Sequence, residues 1–213
     1  MSRMKGSFGN VVLHLGLHKT GTTFLQNYIF PNIKEYNYID RSHFWHCGQF
    51  KNVIISDEGF SGYPHLLDND GSVMFENAKF LKKVFPNAKI ILCLRNKESW
   101  VKSLYSEYLK SGGIYSFNTF KLKFSNVWFN FDEYISLLKN LFDDVFICNF
   151  EDLKNHPNYF VHDICKFINV PIPKYKHTIV KKGFKSWQFD IAKNINRLLG
   201  KKLSYFLWRL IKN

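Results

Sequence analysis

Hydrophobic positions along the chain fall into short unbroken runs separated by stretches of helical period. Val11, Val12, Leu13 and Leu15 make the first run, Val53-Ile54-Ile55-Ser56 the second, 89–94 the third and Val145-Phe146-Ile147-Cys148 the fourth. Each is too short for a helix and most are rich in β-branched residues, so each predicts a buried strand. Between them, 72–84 puts Val73, Phe75, Phe80, Leu81 and Val84 on one side of a helix. Helices are likewise predicted over 22–30, 98–110, 132–142, 158–168, 187–199 and 203–211, with Asn96 as a cap for 98–110. The segments 31–52 and 111–131 read as irregular. Strands apolar on both faces and alternating with helices predict an α/β fold, a three-layer α/β/α sandwich around a central parallel sheet. We expect one domain over 1–213, with the closing helices of 187–213 either part of it or peripheral.

The turn after the first strand gives that frame a chemistry. Gly16 and Gly21 bracket a loop, and Thr22 and Thr23 open the next helix. Strand, glycine loop and helix in that order are P-loop-like, because backbone N–H groups and the helix dipole point at an anion. A nucleotide-triphosphate loop needs Lys directly after the second glycine, and Thr22 stands there instead. The lysine is Lys19, inside the loop, nearer a bridging oxygen than terminal phosphate oxygens. Further on, Arg95 ends a central strand and Ser103 follows in the next helix. A planar guanidinium and an adjustable hydroxyl can grip one phosphate together. Glu58 closes the second strand, on the sheet edge where α/β proteins place their crevice.

Composition narrows the class. Aromatic content of 18% and hydrophobic content of 46% support a full core without disulfide or metal staples. Cys47, Cys93, Cys148 and Cys165 form no CxxC pair or zinc spacing and read as reduced core residues. No apolar run is long enough to span a membrane, and MSRMKGSFGN lacks an apolar leader, so a cytoplasmic protein is expected. The net charge of +13 favours anionic partners without choosing among phosphorylated cofactors, glycans, nucleic acid and lipid.

Together these residues resemble a family. Leu15-Gly16-Leu17-His18-Lys19-Thr20-Gly21-Thr22-Thr23-Phe24-Leu25-Gln26 is similar to the 5′-phosphosulfate loop of sulfotransferases that use 3′-phosphoadenosine 5′-phosphosulfate (PAPS). Leu94-Arg95-Asn96 with Ser103 and Tyr105 resembles their 3′-phosphate motif, and Phe150-Glu151-Asp152-Leu153 before Pro157 a third, weaker segment. The likeness is nearest to small bacterial sulfotransferases acting on carbohydrates. It implies PAPS as donor, adenosine 3′,5′-bisphosphate (PAP) as product, no metal and no nucleic-acid partner. Lys19, Thr20, Gly21, Thr22 and Thr23 would hold the 5′ end, and Arg95 with Ser103 the 3′-phosphate. The acceptor would offer a hydroxyl or amine, on a carbohydrate or glycan. Glu58 is the preferred general base and His18 its rival, with His43, His46 and His65 behind them.

Two basic segments are more open. Lys182-Gly183 resembles the late basic-glycine loop that closes on the 3′-phosphate, although Ser186 stands where a second glycine is usual. Leu198, Leu199, Leu203, Phe206, Leu207 and Leu210 repeat at helical spacing among Arg197, Lys201, Lys202 and Arg209. Such a helix can pack on the core or make a peripheral contact with an anionic membrane at its inner face. The rival functions are a P-loop kinase-like phosphotransferase and a non-catalytic basic module for nucleic acid or membrane.

Overall fold

The strands that form are β1 (Val11–His14), β2 (Asn37–Asp40), β3 (Val53–Ser56), β4 (Lys89–Leu94) and β5 (Val145–Asn149). The computed structural model describes residues 9–40, 42–43, 50–68, 70–176, 184–185 and 187–210. The strands make one sheet in the order β2-β3-β1-β4-β5, with every pair parallel. β1 lies at the centre, with Val12 opposite both Ile54 and Lys89. The chain leaves β1 for β2 and β3 on one side and continues to β4 and β5 on the other. A crevice therefore opens between β1 and β4 at their carboxyl ends.

Alternation along each strand feeds two cores. Val11 and Leu13 of β1, with Ile90, Leu92 and Leu94 of β4, face one side of the sheet. Val12, Ile91 and Cys93 face the other. The first core is covered by α2 (Val73–Val84), α3 (Lys97–Lys110), α4 (Phe117–Lys123) and α5 (Phe131–Leu141). The second is covered by the helix entered at α1 (Thr22–Phe24) and by residues of α6 (Phe150–Asn155) and α7 (Pro157–Ile168). The result is the three-layer α/β sandwich with a parallel sheet.

The structure adds three elements to the sequence expectation. β2 sits at the sheet edge and buries only Ile39, so its apolar signal is a single residue. Within 111–131, Ser116 accepts from the Thr119 amide and starts α4, and a 3₁₀ turn follows at Asn126–Phe129. α6 begins directly at the end of β5 and absorbs the segment read as a strand end. The helix predicted over 22–30 is also less regular, passing from α1 into a π turn, Leu25–Ile29, and a 3₁₀ turn, Phe30–Asn32. The two closing helices form as expected and meet at a non-helical Gly200 with φ 71° and ψ 165°; together they are labelled α8 (Gln188–Leu210).

Candidate active site

The loop between β1 and α1 is held open by bonds to its own carbonyls. The Trp100 indole N–H donates to the His18 carbonyl at 2.7 Å, and Arg95 Nη1 donates to the Lys19 carbonyl at 2.9 Å. Thr20 Oγ1 donates to the Leu17 carbonyl at 2.6 Å, and Ser61 Oγ to the Leu15 carbonyl at 3.0 Å. These bonds fix the shape of the loop that leads into the first helical turn, where backbone amides suit an anion. Lys19 itself has φ 69°. A left-handed lysine costs roughly 1–2 kcal/mol, and here the strain falls on the one residue the motif displaces. Gly16 is required because an added Cβ would lie 2.0 Å from the Thr22 methyl.

Lys19 points its ammonium at Glu107 of α3, with Nζ and Oε2 3.3 Å apart and both side chains mostly buried. Arg95 lies with its guanidinium carbon 4.4 Å from the centre of the Phe150 ring, and its Nε donates to Ser99 Oγ at 3.0 Å. Burial lowers the Arg95 pKa, with the Glu151 carboxylate acting against that shift. Ser99 and Ser103, one helical turn apart on α3, both line the same cavity as Lys19, Gly21, Thr22 and Thr23. The expected donor residues therefore converge, except that Thr20 is fully buried beneath the loop and serves as a brace. Lys182 and Gly183 lie outside the described residues. The end of their segment reaches the site, because the Phe184 amide donates to Ser106 Oγ at 2.8 Å.

On the other wall, Glu58 opens a 3₁₀ turn after β3. Asp57 caps that turn by accepting from the Gly59 amide, which fixes the direction of Glu58. One Glu58 oxygen accepts from the Thr22 hydroxyl, and the other lies 2.9 Å from His18 Nδ1. An ionised Glu58 accepts the Nδ1 proton and leaves His18 Nε2 as a lone-pair acceptor. That Nε2 is buried without a hydrogen-bond partner.

His65 completes this wall, its ring 5.1 Å from that of His18 and its Nδ1 also buried without a partner. Its pKa falls to about 4, first through burial and then through electrostatic interaction with neighbouring His18. It is therefore neutral near pH 7. Sequence alone ranked it low because Pro64 and Leu66 around it suggest only a loop; the 3₁₀ turn Pro64–Leu66 packed on α3 carries it inward. Trp100, Ser99 and Glu107 were also not singled out, since their roles depend on which face of α3 meets the loop. His43 lies at the edge of β2, paired with Asp40, and does not line the cavity; His46 lies outside the described residues. No three His, Cys, Asp or Glu groups among the described residues are placed to hold a metal.

The cavity measures about 1310 Å³. It therefore exceeds the roughly 300–1,000 Å³ typical for one small ligand. Its walls offer an anion cradle, a guanidinium bonded to the carbonyl of Lys19 in that cradle's loop, and an imidazole backed by a carboxylate. That set can bind a doubly phosphorylated donor and take a proton from a second substrate.

Comparisons with known proteins bear on the fold and the family. No curated protein matches the sequence. Among solved structures, a sulfotransferase from Alicyclobacillus acidocaldarius is similar over 94% of this chain and 98% of its own, at 16% identity and a TM-score of 0.58. A mouse sulfotransferase in complex with PAP is similar over 90% of this chain and 66% of its own, at 14% identity and a TM-score of 0.51. At such identities the likeness is one of fold. The family described as "Sulfotransferase domain" matches residues 10–203, and the chain belongs to that family of sulfuryl-transferring enzymes.

Proposed function

We propose that this sulfotransferase transfers a sulfuryl group from PAPS to a hydroxyl, or an amine, of a carbohydrate or glycan, and that residues 1–213 act as one catalytic unit. The observation that carries the proposal is the convergence of the Lys19 loop and the Arg95–Ser103 pair on one cavity. Thr22, Thr23 and the loop amides hold the 5′-phosphate, and Arg95 with Ser103 holds the 3′-phosphate. The acceptor oxygen attacks sulfur, and the bond from sulfur to the bridging oxygen breaks. Negative charge grows on the departing PAP, where the Lys19 ammonium meets it. The acceptor proton goes to His18 Nε2, and Glu58 steadies the imidazolium through Nδ1. This supports His18 as base with Glu58 behind it. The preference for Glu58 alone is less well supported, because both of its oxygens are already engaged.

The test is thermal stabilisation by PAP. Wild type should show saturable stabilisation by PAP and none comparable by ATP with Mg²⁺. Arg95→Ala should weaken PAP binding roughly 10–100-fold, the scale of losing charge-assisted bonds of about 1.5–3 kcal/mol. Stabilisation by ATP with Mg²⁺ in place of PAP would move the enzyme to the kinase-like alternative.

The outward face of α8 supports a second, peripheral contact. Leu198, Leu203 and Phe206 are 85%, 54% and 58% exposed, beside exposed Arg197 and Arg209. Among the described residues no helix is long and apolar enough to cross a membrane, so any contact would be at the surface of an anionic bilayer. Co-sedimentation with phosphatidylglycerol vesicles checks it; equal recovery with neutral vesicles or without vesicles removes it.

A further inference from the structure

The C-terminal half of α8 does more than cover the core. Asn196 is fully buried, and its amide donates to the Leu109 and Gly113 carbonyls at 2.8 and 2.7 Å. Its oxygen accepts from the Trp208 indole at 2.8 Å. One side chain thus ties both arms of α8 to the end of α3. The break at Gly200 then swings the second arm against that end, so closely that a Cβ on Gly112 would sit 2.7 Å from the Lys201 carbonyl oxygen. Lys201, Lys202 and Tyr205 are brought onto the rim of the active-site cavity.

Along α3 this rim lies past the residues assigned to the donor's phosphates. Arg95 precedes α3, Ser103 lies midway along it, and Lys19 meets Glu107 one turn farther on. Ser111, which also lines the cavity, is about 12 Å beyond Ser103 along the helix. Cationic side chains dominate the cavity, and its two carboxylates are already engaged, Glu58 by His18 and Thr22 and Glu107 by Lys19. Among the described residues no carboxylate pairs with Lys201 or Lys202. Two unpaired ammonium groups beside a tyrosine ring suit an oxyanion carried on a ring-shaped substrate.

Building on the proposed transfer reaction, we infer that the acceptor is itself anionic, a saccharide bearing a carboxylate or sulfate that Lys201 and Lys202 recognise while Tyr205 lies against the sugar. α8 is then a specificity element. The uncharged substrate of the same shape lacks the group these lysines bind.

The test measures transfer of labelled sulfate from PAPS to nitrophenyl β-glucuronide and to nitrophenyl β-glucoside, which differ by one carboxylate. Wild type should favour the glucuronide in kcat/KM by roughly tenfold or more. Lys201→Gln/Lys202→Gln should reduce that preference to below about threefold while keeping PAP stabilisation. Lys79→Gln/Lys83→Gln, on exposed positions of α2 away from the cavity, removes the same charge and should keep the preference. Equal use of the two acceptors, no transfer to the glucuronide, or a preference that survives the Lys201/Lys202 change overturns the inference. So does loss of PAP stabilisation in that variant, which assigns the lysines to the donor. Absence of PAP stabilisation in wild type instead removes the donor assignment itself.

Discussion

Lys19→Ala should lower kcat by roughly 10²–10³-fold, the cost of removing one preorganised group at the site of developing charge. In the proposed reaction, charge moves onto the oxygen that leaves sulfur, and Lys19 is the cation displaced into the loop to meet it. Its ammonium is held in place by Glu107 at 3.3 Å, so little reorganisation is needed. A trivial loss of fold is distinguishable. Lys19 has φ 69°, which glycine adopts without strain, so Lys19→Gly should be no less stable through its backbone than Lys19→Ala. Both variants should lose turnover alike, because both lack the ammonium. Lys19→Arg should recover only part, since a planar fork does not replace a compact charge. The measurement is single-turnover transfer from saturating PAPS, with PAP stabilisation followed in parallel. Turnover within about threefold of wild type in Lys19→Gly would place the charge-stabilising group elsewhere.

Much of this was legible in the sequence because it rested on local patterns. The apolar runs of β1, β3 and β4 are unbroken because both faces of those strands are buried, and β5, at the sheet edge and half-buried, still carries a run ending at buried Cys148. The displaced lysine is a spacing, and a spacing survives without coordinates. β2 was missed because an edge strand that buries only Ile39 carries no run to read. α4 and α6 were missed because each is short and begins where a turn or strand end is also plausible. The site was legible where one loop carries it, at Gly16 to Thr23, and obscure where separate elements meet. Glu107 is 88 residues from Lys19 along the chain, and touches it because α3 packs beside the loop. Nothing in the order of residues says that Glu58 and His18 share a proton, since the parallel pairing of β1 with β3 brings them together. The C-terminal helix left two open uses, packing or membrane contact. Asn196 ties its inward side to the end of α3, a contact that no local pattern encodes.

His18→Asn and Glu58→Gln should each lower kcat by roughly 10²-fold or more, within the 10²–10⁴ range for loss of a positioned base. The two act as a unit, so the double variant should be little worse than the worse single one. Asparagine removes the Nε2 lone pair outright. Glutamine acts less directly. It lacks the negative charge that steadies the imidazolium, whichever way its amide points. If the Thr22 hydroxyl continues to donate, the amide NH₂ faces His18 Nδ1 and drives the imidazole proton onto Nε2. The nitrogen needed as acceptor then becomes a donor. PAP stabilisation should be largely retained in His18→Asn, because His18 takes no part in holding the proposed phosphates. Glu58→Gln also disturbs the Thr22 contact, so a modest loss of PAP affinity can accompany its fall in rate. The pair of variants assigns the base. If His18→Asn keeps near wild-type turnover and Glu58→Gln does not, the proton goes directly to Glu58. If both stay active, neither residue is the base, and His65, with its Nδ1 buried and unpartnered on the same wall, is the next group to replace.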